Sequence, residues 1–331
     1  MGGEDMANTL NRRAFVRRGL GSVAGLAAGT SLAGTLARAA DAPDYLTLVG
    51  GGQGGAWYLG AATMAEIAKG LWPDISTTVT PGGSLANLQG VGRGKIDIAY
   101  SFAMDVTAAQ KGTLAFEGRA IPGLRAIMST NAAYFSIVAK PDIKSYADLA
   151  GKSVAPGRAG MTGLAAFRNI VNEVGIADQI EEVNTDYPEM SSLFKDGVVS
   201  AANVIGSIPH STINEILSTA DGHLLGMDDD LVERLSEKFN YERMVVPAGT
   251  FIGQDKEVVT AGSVTQVVTH EDVADETIYA LTKATWESRD RLIQAHPSYK
   301  ELTDEMALNG IRIPLHPGAE QYWREIGLLK S

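Results

Sequence analysis

Two hydrophobic periods alternate along most of the chain. "YLTLVG" at residues 45–50 is a short apolar run of strand length, and "AWYLGAATMAEIAKGL" after it carries Ala61, Met64, Ala65 and Ala68 at helical spacing. Pro73 closes that helix, and "ISTTVT" is β-branched and strand-like. "PGGSLANLQGVGRG" is a glycine turn opening a helix, with Ser84 as its expected N-cap, and "KIDIAYSF" is a third strand. "LRAIMST" and "YFSIVAK" read as two further strands. The texture restarts near residue 140. A second glycine-rich loop, Gly157 to Gly163, runs into an amphipathic helix. "IEEVNTDY", "SAANVIG" and "HLLGM" then read as strands separated by helices "PEMSSLFKDG" and "SIPHSTINEIL". Asp228 to Asp230 cap a following helix. After Val246 the pattern loosens. It then turns helical in "EDVADETIYALTKATWESRDRLIQAH", "YKELTDEMALNG" and "GAEQYWREIGLL". Such alternation predicts an α/β fold with a mainly parallel sheet in two similar halves.

Each half carries a glycine-rich strand-to-helix turn. A helix start presents unpaired N–H groups and positive partial charge, so two such turns could hold one small anion between them. The first turn also contains Gly50, Gly52 and Gly55 in a G-x-G-x-x-G pattern. A dinucleotide site needs an acid at the end of the second strand, but that strand ends in "TVTPGGS". Asp74 has the right count and lies before the strand. Trp57 and Tyr58 stand where a small residue normally lets helix and strand approach. No nucleotide cofactor is expected.

Composition narrows the chemistry further. The 331 residues carry a formal net charge of −11, which argues against nucleic-acid partners. Cysteine is absent, which removes disulfides, thiolate metal sites and thiol nucleophiles. His210, His223, His270, His296 and His316 are scattered, with no pair at metal-ligand spacing, so no metal is expected. No G-x-S-x-G or P-loop is present. No catalytic residues are assigned.

The first 39 residues read as an export signal. Arg12, Arg13, Arg17 and Arg18 precede a Gly/Ala/Leu segment ending in Ala37-Arg38-Ala39, an A-x-A cleavage site. Arg12-Arg13-x-Phe15 resembles the twin-arginine motif, which implicates the twin-arginine export machinery. Cleavage after Ala39 removes five arginines and two acids and takes the net charge from −11 to −14. A soluble, acidic periplasmic protein is expected.

Five segments, in order, resemble the TAXI-type solute receptors of tripartite ATP-independent periplasmic (TRAP) transporters. They are "GGQGGAWYLGAA", "TPGGSLANLQGVGRGKIDIAYS", "SYADLAGKSVAPGRAGMTG", "VPAGTFIGQDKEVVTAG" and "PLHPGAEQYWREIG", spread over residues 45–328. The resemblance implies a type II-like periplasmic-binding fold with a ligand cleft between two lobes. Residues 45–132 plus 248–331 would form lobe one and 133–247 lobe two. It implies a receptor that performs no chemistry and delivers a small organic anion, a carboxylate or amino acid, to TRAP permease subunits.

The residues expected at the solute are Gly54, Gly55, Ala56, Trp57 and Tyr58 at the first turn, Ser84 at the next helix start, and Ser101 and Phe102 at the end of the third strand. Lobe two would supply Arg158, Met161, Thr162, Gly206 and Ser207. Ligands of open α/β sheets bind beyond the carboxyl ends of strands, where these residues fall. Three departures from the family pattern occur at these positions. Leu59-Gly60 stands where a proline is common, Met161 replaces a serine, and Ser101-Phe102 replaces a glutamine. Trp57, Phe102 and Met161 together suggest a larger or more apolar acid than glutamate. An exported sensory receptor presenting its solute to a membrane kinase or chemoreceptor would use the same fold. An exported α/β enzyme is a third class, and the expected site holds few titratable groups to support it.

Overall fold

A computed structural model describes residues 43–158 and 162–330. The export segment and Met161 lie outside the described residues. The first half contains β1 (Tyr45–Val49), α1 (Ala56–Leu71), β2 (Ser76–Thr80), α2 (Ser84–Gly92), β3 (Ile98–Phe102), α3 (Ala103–Lys111) and β4 (Leu124–Ala139). Next come β5 (Ser153–Ala155), α4 (Thr162–Val174), β6 (Glu181–Glu182), α5 (Tyr187–Lys195), β7 (Ala201–Gly206), α6 (Ser211–Thr219) and β8 (His223–Leu225). The chain closes with α7 (Asp229–Phe239), β9 (Glu242–Val246), β10 (Val258–His270), α8 (Asp275–Glu287), α9 (Asp290–Ala295) and α10 (Pro317–Glu325).

The strands form one sheet in the order β2-β1-β3-β10-β4-β7-β5-β6, with β8 on β4 and β9 on β10. Each end is parallel, β1 between β2 and β3, and β5 between β6 and β7. The middle is antiparallel, because β4 and β10 run past each other and link the two ends. The first part of β4, Leu124 to Tyr134, pairs with β10, and Tyr134 to Ala139 pairs with β7. Two register shifts interrupt the β4–β10 pairing, beside Thr265/Gln266 and Val267/Val268. Bulges of this kind bend and twist a ladder locally.

Apolar burial separates into two groups. One packs α1 (Ala61, Met64, Ala65, Ala68) against Trp286, Tyr322 and Trp323, and a neighbouring cluster packs Leu88 and Val106 against Leu124. Apart from Met104, the other group draws its buried residues from Ala133 to Ala261. Two cores joined by two long strands make a two-lobe α/β architecture. No helix among the described residues is long and apolar enough to cross a membrane.

Several sequence expectations need correction. "LRAIMST" and "YFSIVAK" belong to the single 16-residue strand β4. The polar Asn131 between them is buried and hydrogen-bonded, so it does not break the strand. The loosened stretch after Val246 contains the 13-residue β10. Gly262 obscured it, yet a Cβ there would lie 2.4 Å from the Ala133 carbonyl oxygen, so the ladder needs glycine. "YKELTDEMALNG" forms short 3₁₀ turns, Pro297–Glu301 and Met306–Leu308, in place of a helix. Strand β6 keeps only two residues of "IEEVNTDY".

Candidate functional site

The first glycine turn is shaped by close approach. A Cβ on Gly50 would lie 2.4 Å from the Trp57 carbonyl oxygen, so strand β1 can meet the first turn of α1 only through glycine. Gly54 has φ +78°, and Gly55 N-caps α1 in an extended conformation. Gly54 and Gly55 are exposed, and Ala56, Trp57 and Tyr58 are half-buried. The Trp57 ring meets Phe102 edge-on at 4.6 Å between centroids, and its Nε1 donates to Thr265 Oγ1 at 3.1 Å. Trp57 therefore ties the turn to the linking strand β10.

Asn87 fixes the neighbouring turn. Its Nδ2 donates to the carbonyls of Gly50 (2.9 Å) and Tyr100 (2.8 Å), and its Oδ1 accepts from the Gly83 N–H (3.1 Å). One buried amide thus joins the ends of β1 and β3 to the start of α2. A Cβ on Gly82 would sit 2.1 Å from this Oδ1, which explains the paired glycines before Ser84. The N-cap of α2 is Gly83, so Ser84 occupies the first helical position and not the cap expected of it.

Ser84 faces inward. Its hydroxyl donates to Asp105 Oδ2 (2.5 Å), lies 2.7 Å from Ser101 Oγ and accepts from the Phe102 N–H (3.1 Å). With Ser101 donating, the single proton and both lone pairs are used. Ser101 is fully buried. Two hydroxyls expected to meet solute therefore hold Asp105 and the end of β3.

In the second lobe, Thr162 begins α4, and Arg158 is an exposed partner of Asp186 at 2.6 Å. Gly206 ends β7, and the Ser207 hydroxyl accepts from Asn131 Nδ2 (2.9 Å) on β4. Direct contacts join Trp57 to Phe102 and Ser84 to Ser101. Arg158 and Ser207 have partners of their own in Asp186 and Asn131.

A cavity of about 510 Å³ opens between the lobes. Lobe one contributes Leu85, Met104, Asp105 and Leu114. Lobe two contributes Thr162, Leu164, Arg168, Asn169, Phe239 and Tyr241. Of the residues expected at the solute, Thr162 lines this cavity directly, and Ser84 and Phe102 flank Leu85 and Met104 in sequence. Desolvation pushes the Asp105 carboxyl from 3.8 up to about 6, against the lowering effect of the Ser84 hydroxyl. Arg168, the basic side chain of the lining, is engaged by Glu182 through two hydrogen bonds (2.8 and 2.6 Å). Asn169 Nδ2 donates to the Tyr241 hydroxyl at 2.8 Å, while burial, more than the Asp105 charge, raises the Tyr241 phenol. Sequence reading missed Asp105, although a lone charge within "FAMDVTAAQ" was a usable signal. Among the described residues, no group of three or more His, Asp or Glu could hold a metal ion.

The linking strands carry a buried polar band: Ser129, Thr130 and Asn131 on β4, and Ser263, Thr265 and Gln266 on β10. Gln266 Nε2 donates to the Gly310 carbonyl (3.0 Å) and Ser129 Oγ to the Asn309 carbonyl (2.6 Å). Glu301 Oε2 accepts from the Ala132 N–H at 2.7 Å, and burial raises its carboxyl. These bonds anchor the crossing strands to the first lobe.

Fold and cavity together define a two-lobe α/β protein with a recess between its lobes. The chain belongs to the NMT1-like family, which it matches over residues 48–327. Among solved structures it is similar to the alkanesulfonate-binding protein SsuA from Xanthomonas axonopodis pv. citri, bound to MOPS. That pair shares 14% identity over 88% of this chain and 82% of the other, with a TM-score of 0.43. The periplasmic aliphatic sulphonate-binding protein SsuA from Escherichia coli is 14% identical over 85% and 83%, with a TM-score of 0.42. Lactococcal OpuAC, closed on glycine betaine, is 12% identical over 86% and 96%, with a TM-score of 0.48.

Proposed function

We propose that this chain is an extracytoplasmic solute receptor that closes its two lobes on a small organic anion, a carboxylate or amino acid. The cavity between the lobes carries the reading, since its volume of about 510 Å³ falls in the range of small-molecule sites. Residues 45–132 with 248–331 act as one lobe and 133–247 as the other, joined by β4 and β10, and hinge closure traps the solute. Gly54 to Tyr58, Phe102 and Thr162 contact it, with Trp57 and Phe102 as an apolar wall. Ser84 and Ser101 act by holding Asp105 and the β3 end. Membership of the NMT1-like family supports a receptor role without chemistry of its own. The TAXI-type segments favour delivery to a TRAP permease, after twin-arginine export and cleavage behind Ala39. Calorimetry against a carboxylate panel tests the reading. Binding of apolar acids or amino acids is expected, and a clear preference for small polar ones such as glutamate would contradict the apolar wall.

A further inference from the structure

We infer that Asp105 is the recognition group for a protonated amine, so that the solute carries an ammonium as well as an apolar body. This rests on the receptor reading above and narrows its substrate class. Asp105 lines the interlobe cavity from α3, and the Ser84 hydroxyl is its hydrogen-bonding partner. Among the described residues, no Lys, Arg or His forms an ion pair with it. Arg168, on the facing lobe, is held by Glu182 and leaves the carboxylate uncompensated. The rest of the wall is largely apolar, with Leu85, Met104, Leu114, Leu164 and Phe239. A carboxylate in such a setting pays for desolvation unless a cation arrives with the ligand. Asn169 and Tyr241 stand in the same recess as polar groups for the remaining ligand atoms. Ser84 orients the carboxylate through Oδ2, which makes it a positioning residue.

The test is a thermal-shift and calorimetric panel of matched pairs: L-leucine with 4-methylpentanoate, L-phenylalanine with 3-phenylpropanoate, and isopentylamine as the amine without a carboxylate. Each is run on the wild type and on Asp105→Asn. Binding is expected among the amine-bearing members, at least about tenfold tighter than their desamino partners, and Asp105→Asn should erase that preference. Amine affinity should also fall as pH drops through about 6, where Asp105 takes up a proton. Tyr241 and the Arg168–Glu182 pair, the other titratable groups of the recess, stay unchanged in that range. Equal binding of desamino acids, with Asp105→Asn unaffected, overturns this inference and leaves the receptor reading standing. Absence of binding across this panel, with the protein folded, overturns this inference, and the receptor reading falls with it only if a broader carboxylate panel also fails to bind. Unchanged or raised melting of unliganded Asp105→Asn is expected, which separates lost recognition from lost folding.

Discussion

Asn87→Leu removes the amide that joins β1, β3 and α2 while nearly preserving volume. Its loss strips the Gly50 and Tyr100 carbonyls of a donor and the Gly83 N–H of its acceptor. Asn87 is 1% exposed, so water has no ready access to replace these bonds. A buried polar group left unpaired costs about 1–3 kcal/mol. Carbonyls retain a second lone pair and fall at the low end, so the three losses come to about 3–5 kcal/mol. That is a large share of the roughly 5–15 kcal/mol that stabilises a typical domain. Urea unfolding followed by fluorescence should show a midpoint lowered accordingly, with the slope unchanged. Asn87→Asp keeps the acceptor for Gly83 and loses both donors, so it should also destabilise. A loss below about 1 kcal/mol for Asn87→Leu would show that the glycine turns are held by other means and would refute the reasoning.

Trp57→Phe loses the Nε1 bond to Thr265 but keeps an aromatic ring against Phe102; it should weaken solute binding more than it lowers stability, which is about 1 kcal/mol for one hydrogen bond. Thr265→Val should reproduce the stability part alone, by urea unfolding. Ser136 Oγ is buried without a partner, so Ser136→Ala should be neutral or stabilising in thermal melts. His210, His296 and His316 each accept a backbone N–H through Nδ1 at a helix start, and burial lowers all three below the usual 6.5. A lowered histidine gives stability that is complete above pH 6.5 and lost as pH falls toward its folded value. Between pH 7.5 and 5 the wild type should therefore lose melting temperature relative to His316→Asn, which keeps a cap but carries no titrating ring. Asp105 works in the opposite sense: its rise from 3.8 to about 6 means its ionised form destabilises the fold above pH 6. The bound is about 3 kcal/mol, cut to about 1–2 by solvent reaching the cavity, so Asp105→Asn should be the more stable protein at pH 7.5 and equal at pH 4.

The parallel ends of the sheet were legible because β1, β2, β3 and β7 each sit as a short apolar or β-branched run before a turn signal. The linking strands were not. Their polar centres, Ser129 to Asn131 and Ser263 to Gln266, break the hydrophobic period, and long-range bonds to Asn309, Gly310, Ser207, Trp57 and Met104 make burial of those groups tolerable. The same limit applies to the site. Glycine turns announce themselves by composition, which led to Gly54, Gly55 and their aromatic neighbours. Ser84 was visible as a helix start, yet nothing local shows that its hydroxyl points at Asp105, 21 positions on. Histidine caps escaped for a related reason, since Ser, Thr, Asp and Asn are the residues that sequence rules recognise at helix starts.

The central claim is that the recess between the lobes holds a solute. Native mass spectrometry of the protein, purified gently from its exporting host, tests this directly. The account predicts a mass excess matching one small molecule per chain, released on denaturation and lost or exchanged in Asp105→Asn and Trp57→Ala. A wild-type protein that is folded, carries no such molecule and takes up none from a carboxylate and amino-acid panel would contradict it.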